Sequence, residues 1–324
     1  MIRSMVCWLL LAVSASAAVA ARPVYKIELI DHDDELLPKE AMVINDHGVV
    51  AGRAGVKGAP DQGLMPFRYV DGVLKPILPA PANAMLVQDM NDSGDVIGRI
   101  VNDYYVWRAD GTTEAMPGLS LYAINDLGQM AVRADGTWHG CIYDHGTLTD
   151  LGTLGGNNSS AFDINNRGEV TGIADLPGQY APYHAFAWRN GEMVDLGTLG
   201  GTSSWGAAIN DLGHVVGTAR DKKGAYHAFI HDGSVMRKLP PTQEGDTLTP
   251  YDVNDRDEVV GAGSAGEVLL SAEGKTYRLK SLLGKSGAGW DQLMYANSIN
   301  EAGQIAGVGV RKGRLRAYIA TRVK

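Results

Sequence analysis

The sequence predicts an all-β chain closed into a ring of seven four-stranded sheets, and three observations predict it. One unit recurs seven times. Each copy divides into four strand-length pieces. The last copy lacks its fourth piece, and a matching piece stands near the N-terminus.

The recurring unit is marked by an apolar residue, an Asn, usually an acidic residue and a Gly. It reads "INDHG" at 44–48, "MNDSG" at 90–94, "INDLG" at 124–128, "INNRG" at 164–168, "INDLG" at 209–213, "VNDRD" at 253–257 and "INEAG" at 299–303. The Asn stands at 45, 91, 125, 165, 210, 254 and 300, in steps of 46, 34, 40, 45, 44 and 46 residues. Steps of that size suit one supersecondary unit each. The composition agrees: 41 glycines, many Asn-Asp and Asp-Gly pairs and few long apolar runs point to short strands and tight turns.

The unit at 158–199 shows the pieces best: "NSSAFDI", "EVTGIA", "HAFAWR" and "MVDLGTL", here strands a to d. Between a and b, the Asn and Asp suit a type I turn and the Gly the left-handed residue after it. Asp257 replaces that Gly in the sixth unit, and Asp tolerates the left-handed region better than most residues. Short turns such as "RNG" (189–191) join c to d, whereas the b–c and d–a connections vary in length. The final unit ends at strand c, "RAYIATR" (316–322), and "VYKIELI" (24–30) is the strand available to complete it. This pattern predicts a seven-bladed β-propeller, strand a innermost and d outermost, in which 24–30 pairs with the C-terminal blade and removes the open edge.

Residues 1–21 read as an export signal: Arg3, the apolar "MVCWLLLAV" (5–13) and small residues allowing cleavage near Ala20–Ala21. Residues 22–324 then form a single propeller domain. The apolar stretch is too short to span a bilayer and no later stretch approaches it, so no membrane span is expected and the protein is exported, periplasmic or secreted. Cys7 leaves with the signal, and Cys141 has no intramolecular disulfide partner. The formal charge of −8 argues against a nucleic-acid partner. The basic group Arg311, Lys312, Arg314 and Arg316 reads as a solvated edge, and "DHDDE" (31–35) as a solvated loop with a weak cation site as the alternative.

The stretch "DLGTLGG", present at 150–156 and again at 195–201, with "HAFAW" (184–188) and "HAF" (227–229), resembles the bacterial extracellular HAF-repeat family. The likeness is sharp from about 139 to 232. Elsewhere "MPF" (65–67), "DYY" (103–105), "EVL" (267–269) and "RAY" (316–318) stand in for His-Ala-Phe. The resemblance implies export and a propeller-like repeat fold, and it carries no catalytic residues to this chain.

With a innermost, the variable b–c and d–a loops share one face, the usual place for recognition. The candidate binding residues there are Tyr104, Trp138, His139, Tyr180, Tyr183, His184, Trp205, Tyr226 and His227, with Tyr105 and Trp290 on the same side. Rings beside amides and carboxylates suit sugars; the alternative is that each ring packs between blades or under its own loop. His139, His184 and His227 occupy equivalent places in successive blades, which puts them roughly 14 Å apart by strand spacing, too far to share a zinc ion. Local bonding of each His to its own loop backbone is expected instead. Asp89, Asp163 and Asp252 precede the turn Asn in alternate blades. They either bridge a cation or waters in the channel or bond a neighbouring blade's backbone.

"GAGSAG" (261–266) fits a dinucleotide fingerprint by letters, but a strand follows it. "NNSS" (157–160) holds glycosylation-type sequons and reads first as turn chemistry. The sequence assigns no catalytic residue, metal or cofactor. The expected function is non-catalytic binding of a glycan or protein through the loop face. The alternatives are a polysaccharide lyase or glycosidase, with Asp175, Asp221, Tyr183, His184 and His227 as first suspects, and a structural surface protein that assembles with other chains.

Overall fold

The computed structural model describes residues 22–30, 36–56, 64–77, 85–178 and 182–323. The export signal, "DHDDE" (31–35) and Tyr180 lie outside these residues. The first strand, β1 (Tyr25–Leu29), is followed by seven consecutive groups whose innermost members are β2 (Leu36–Ile44), β6 (Met85–Met90), β10 (Leu119–Ile124), β14 (Ser159–Ile164), β18 (Gly200–Ile209), β22 (Leu248–Val253) and β26 (Trp290–Ile299). Each group forms one four-stranded antiparallel sheet, the last of them with β1 as its fourth strand, and neighbouring inner strands touch around a closed circle, β26 against β2 included. The chain is a seven-bladed β-propeller.

The seventh blade completes itself as expected. Strand β1 pairs antiparallel with β28 (Arg314–Arg322), from Tyr25 opposite Arg322 to Leu29 opposite Tyr318. The backbone N–H of Ile30 adds a bond to the Ala317 carbonyl at 3.2 Å.

The repeated Asn locks one blade to the next. Its side-chain amide donates to the backbone carbonyl of the corresponding Asn in the following blade, from Asn45 to Asn91 (3.1 Å) and on to Asn300, which donates to Asn45 (2.8 Å). The same side chain's oxygen accepts the N–H four residues on, as from Val49 at 2.9 Å. One buried side chain thus supplies a donor outward and an acceptor to its own turn, an arrangement neither Asp nor Leu can make. Gly48 at φ 73° and Asp257 at φ 57° take the left-handed turn position predicted for them.

Seven hydrophobic clusters fill the seven blade interfaces, so the core is a circle of wedges and not one central mass. The His-Ala-Phe triplet supplies such wedges. Phe186 and Phe229 are fully buried, each opposite a glycine of its neighbouring strand, Gly172 and Gly217. A Cβ on Gly217 would lie 1.8 Å from the Trp205 carbonyl oxygen and 3.0 Å from the Phe229 ring, so that site admits only Gly. Phe67, Tyr105, Leu269 and Tyr318 occupy the equivalent place in the blades without the triplet, each opposite a glycine. In the third blade Val132 faces the small Cys141, the volume having moved from one strand to the other.

Candidate ligand-binding face

The two "DLGTLGG" stretches form identical loops leading into the fourth and fifth blades. In each, a Ser hydroxyl from the next inner strand donates to a loop carbonyl, Ser159 to Gly152 (2.6 Å) and Ser204 to Gly197 (2.5 Å). The same hydroxyls accept a backbone N–H of the preceding blade, from Gly140 and Ala185. Thr153 and Thr198 close the loops onto Gly156 and Gly201. The repetition is therefore a blade-to-blade connector used twice.

The equivalent histidines are fastened by carboxylates, where backbone bonding was expected. His139 Nδ1 lies 2.9 Å from the Asp150 carboxylate, and His184 Nδ1 lies 2.9 Å from that of Asp195. Each Asp is the first residue of "DLGTLGG" and also accepts a loop N–H, from Gly152 and Gly197. In the fifth blade Lys238 takes the corresponding place, and His227 turns to Asp221, Nε2 to Oδ2 2.8 Å. A flanking carboxylate within reach beats a backbone carbonyl because an ionised acceptor makes the stronger bond.

The aromatic candidates separate. Trp205 stacks on Phe162 at 4.8 Å with planes 9° apart, and Tyr183 meets the indole edge-on at 6.5 Å. Tyr122 continues the run against Phe162 at 6.0 Å. Tyr226 is exposed and lies beside Tyr183, with the Arg220 guanidinium 4.6 Å from its ring centre. Three rings expected on this face, Tyr183, Trp205 and Tyr226, thus meet where blades four and five join. Phe162, Tyr122 and Arg220 were not singled out from the sequence. Trp138 stands apart, 71 % exposed. Tyr104 packs against the cluster between blades two and three, Tyr105 stacks on Trp107, and Trp290 is buried against Tyr318. For these three, packing is the observed role.

The suspects for catalysis are tied down. Asp221 is held near 2 by its bond from His227, with backbone N–H groups of Lys223 and Ala225 adding to it, and Asp175 accepts from the Asn158 amide at 2.5 Å. "GAGSAG" ends the strand Val259–Gly263 and makes the turn into the strand Val268–Ala272, and "NNSS" runs into β14.

At the axis, each inner strand carries a bulge just before its Asn, which turns Met42, Gln88, Tyr122, Phe162, Ala207, Tyr251 and Asn297 into the channel. Asp89, Asp163 and Asp252 line cavities of about 150 and 170 Å³ at this level. Each spans two blades: Asp89 accepts N–H groups of Met90 and Ile124, Asp163 those of Ile164 and Ile209, Asp252 those of Val253 and Ile299. Of the two roles open to them, backbone bonding is the one observed. Among the described residues no cluster of His, Cys, Asp or Glu has metal-holding geometry.

Burial pushes the Asp89 carboxyl up to about 8, with the Asp163 charge adding to it, and burial lifts Asp163 to about 7 and raises Asp252. Glu301, at the mouth of the turn face, is lifted by burial to about 7. Carboxyls that bind protons more tightly folded than unfolded stabilise the fold at low pH and lose that contribution as pH rises through the folded values. The melting temperature is therefore expected to fall between pH 6 and pH 8.5, and the Asp89→Asn variant to show a shallower slope. Thermal unfolding followed by circular dichroism checks this; a flat or rising profile contradicts it.

No protein-family model and no curated protein matches this chain. Solved structures do. Pyrococcus horikoshii acylaminoacyl peptidase aligns over 90 % of this chain and 52 % of its own, at 11 % identity and TM-score 0.53. YCF48 bound to D1 peptide aligns over 95 % and 99 %, at 13 % identity and TM-score 0.51. TolB from Acinetobacter baumannii aligns over 88 % and 64 %, at 13 % identity and TM-score 0.47. The chain thus spans under two thirds of the peptidase and of TolB. At such identities, what the peptidase and YCF48 share with this protein is the propeller fold.

Proposed function

We propose that this protein is an exported, non-catalytic binding propeller whose ligand, a glycan or a protein, docks on the loop face where blades four and five meet. The observation that carries this reading is the continuous run of rings Tyr122–Phe162–Trp205–Tyr183, which emerges at a Trp205 that is 41 % exposed. Stacking on Phe162 holds the indole in one orientation, so little side-chain entropy remains to be lost on binding. Exposed aromatic anchors in rigid settings dominate binding energies. The surrounding connections are held by the Ser, Thr and His–Asp bonds described above, which supports a preformed surface.

Glycan-array and pull-down screening of the mature protein tests the reading. Trp205→Ala and Tyr183→Ala are expected to weaken any hit about 10- to 100-fold, on the order of 1.4–2.8 kcal/mol, while leaving the melting curve little changed. Undiminished binding by both variants would refute this location.

A further inference from the structure

We propose that the face where blades four and five meet takes an acidic saccharide, its sugar ring lying on Trp205 and its carboxylate paired with Arg220. The proposal rests on the reading above and adds the class of ligand.

Arg220 stands near the end of β19 (Val215–Asp221), opposite Tyr226. Its Nε is buried and has no acceptor, and among the described residues no carboxylate lies within ion-pair distance of its guanidinium. The nearest acid in sequence, Asp221, is turned away to His227 and to the N–H groups of Lys223 and Ala225. A guanidinium fixed over a ring, with no anion of its own, is set to accept one, because its planar fork matches a carboxylate in two parallel hydrogen bonds. Lys222 and Lys223 are exposed on the turn that follows, two further cations in a chain whose net charge is −8.

The platform favours a sugar over an acidic peptide. Among the described residues, the exposed large apolar side chains at this face are Trp205 and Tyr226, two rings and not a broad apolar patch. One pyranose ring can cover an indole with its C–H face. The Tyr226 hydroxyl is engaged by Arg220, Ser203 and Tyr183, which holds the guanidinium in place beside these rings.

The test uses the mature protein and tetrasaccharides derived from polygalacturonate, alginate and hyaluronan, each beside its carboxyl-reduced counterpart, with poly-glutamate as the peptide control. Binding is read by tryptophan fluorescence and calorimetry. At least one uronate tetrasaccharide is expected to bind, its reduced form at least 10-fold more weakly. Arg220→Gln should bind both forms equally, while Arg220→Lys keeps part of the difference and confirms that the cleft still folds. Equal binding of acidic and reduced forms overturns the role of Arg220 but leaves the binding face intact. Poly-glutamate bound as tightly as the sugars overturns the saccharide class. Failure of every sugar, alongside a screened ligand that Trp205→Ala weakens, overturns the class and upholds the face.

Discussion

A chain cut back to residues 31–324 is expected to lose cooperative unfolding and to associate through its open seventh blade. Strand β1 buries Tyr25 and Ile27, and Ile30 follows it into the first blade's core, with exposures of 1 %, 6 % and 1 %. At roughly 2 kcal/mol for each apolar side chain removed from water, the three contribute about 6 kcal/mol. Whole domains are stable by only about 5–15 kcal/mol. Their loss would also strip β28 of its outer partner and present unpaired N–H and C=O groups, a template for edge-to-edge pairing. Size-exclusion chromatography should show oligomers or aggregate, and calorimetry a broad, weak transition. A synthetic 22–30 peptide added in trans should restore a sharp melt. A truncated monomer that melts within a few degrees of the 22–324 chain would show that the circle does not depend on this strand.

Replacing Glu258 by Ala is expected to cost about 3–5 kcal/mol, the usual result of removing one partner from a buried ion pair. Glu258 is 2 % exposed. It accepts from the Asn254 amide at 2.9 Å, from Arg256 at 2.7 Å and from Arg322, which stands on β28 opposite Tyr25. One carboxylate therefore joins the sixth blade's turn to the seam that closes the ring. Burial pushes its proton affinity up, but Asn254 and the two guanidinium groups outweigh this and hold it below the usual carboxylate range. Its contribution is present above the unfolded value and disappears as pH falls through the folded one, the opposite sense to Asp89 and Asp163. Thermal melts at neutral pH should place the variant on the order of 10 °C below the parent. The difference should shrink below about pH 4, where the unfolded carboxyl is itself protonated. An unchanged melting temperature would contradict the bridging role.

The blade count and the closure were legible because each turns on a residue doing something no substitute does. Asn45 and its six counterparts must donate across a blade boundary while accepting within their own turn, so the same letter recurs at the period of the blade. Gly172 and Gly217 recur because a backbone carbonyl fills the space a Cβ would need, and at Gly217 the Phe229 ring crowds it as well. The histidine partners were present in the letters too. Eleven residues beyond His139 and His184 stand their partners Asp150 and Asp195, the spacing at which strand d returns beside strand c, whereas the same step from His227 reaches Lys238 and its carboxylate partner is Asp221.

The cleft was legible only in part. Trp205 and Trp290 both sit on inner strands, yet one faces solvent and the other is buried. A single bulge reverses which side of a strand each later residue faces, and β26 carries three of them. Phe162 could not be matched to Trp205 from the letters, because two blades contribute the two rings and the angle between blades fixes their overlap.

The sequence by itself determined the number of blades, the four-strand unit and the strand that closes the ring, since backbone hydrogen bonding imposes those features at every repeat. Only the tertiary structure decided which side chains of blades four and five meet, and that among the described residues no carboxylate pairs with Arg220. Those outcomes depend on bulges and on packing between neighbouring blades, which vary from one repeat to the next without disturbing the period.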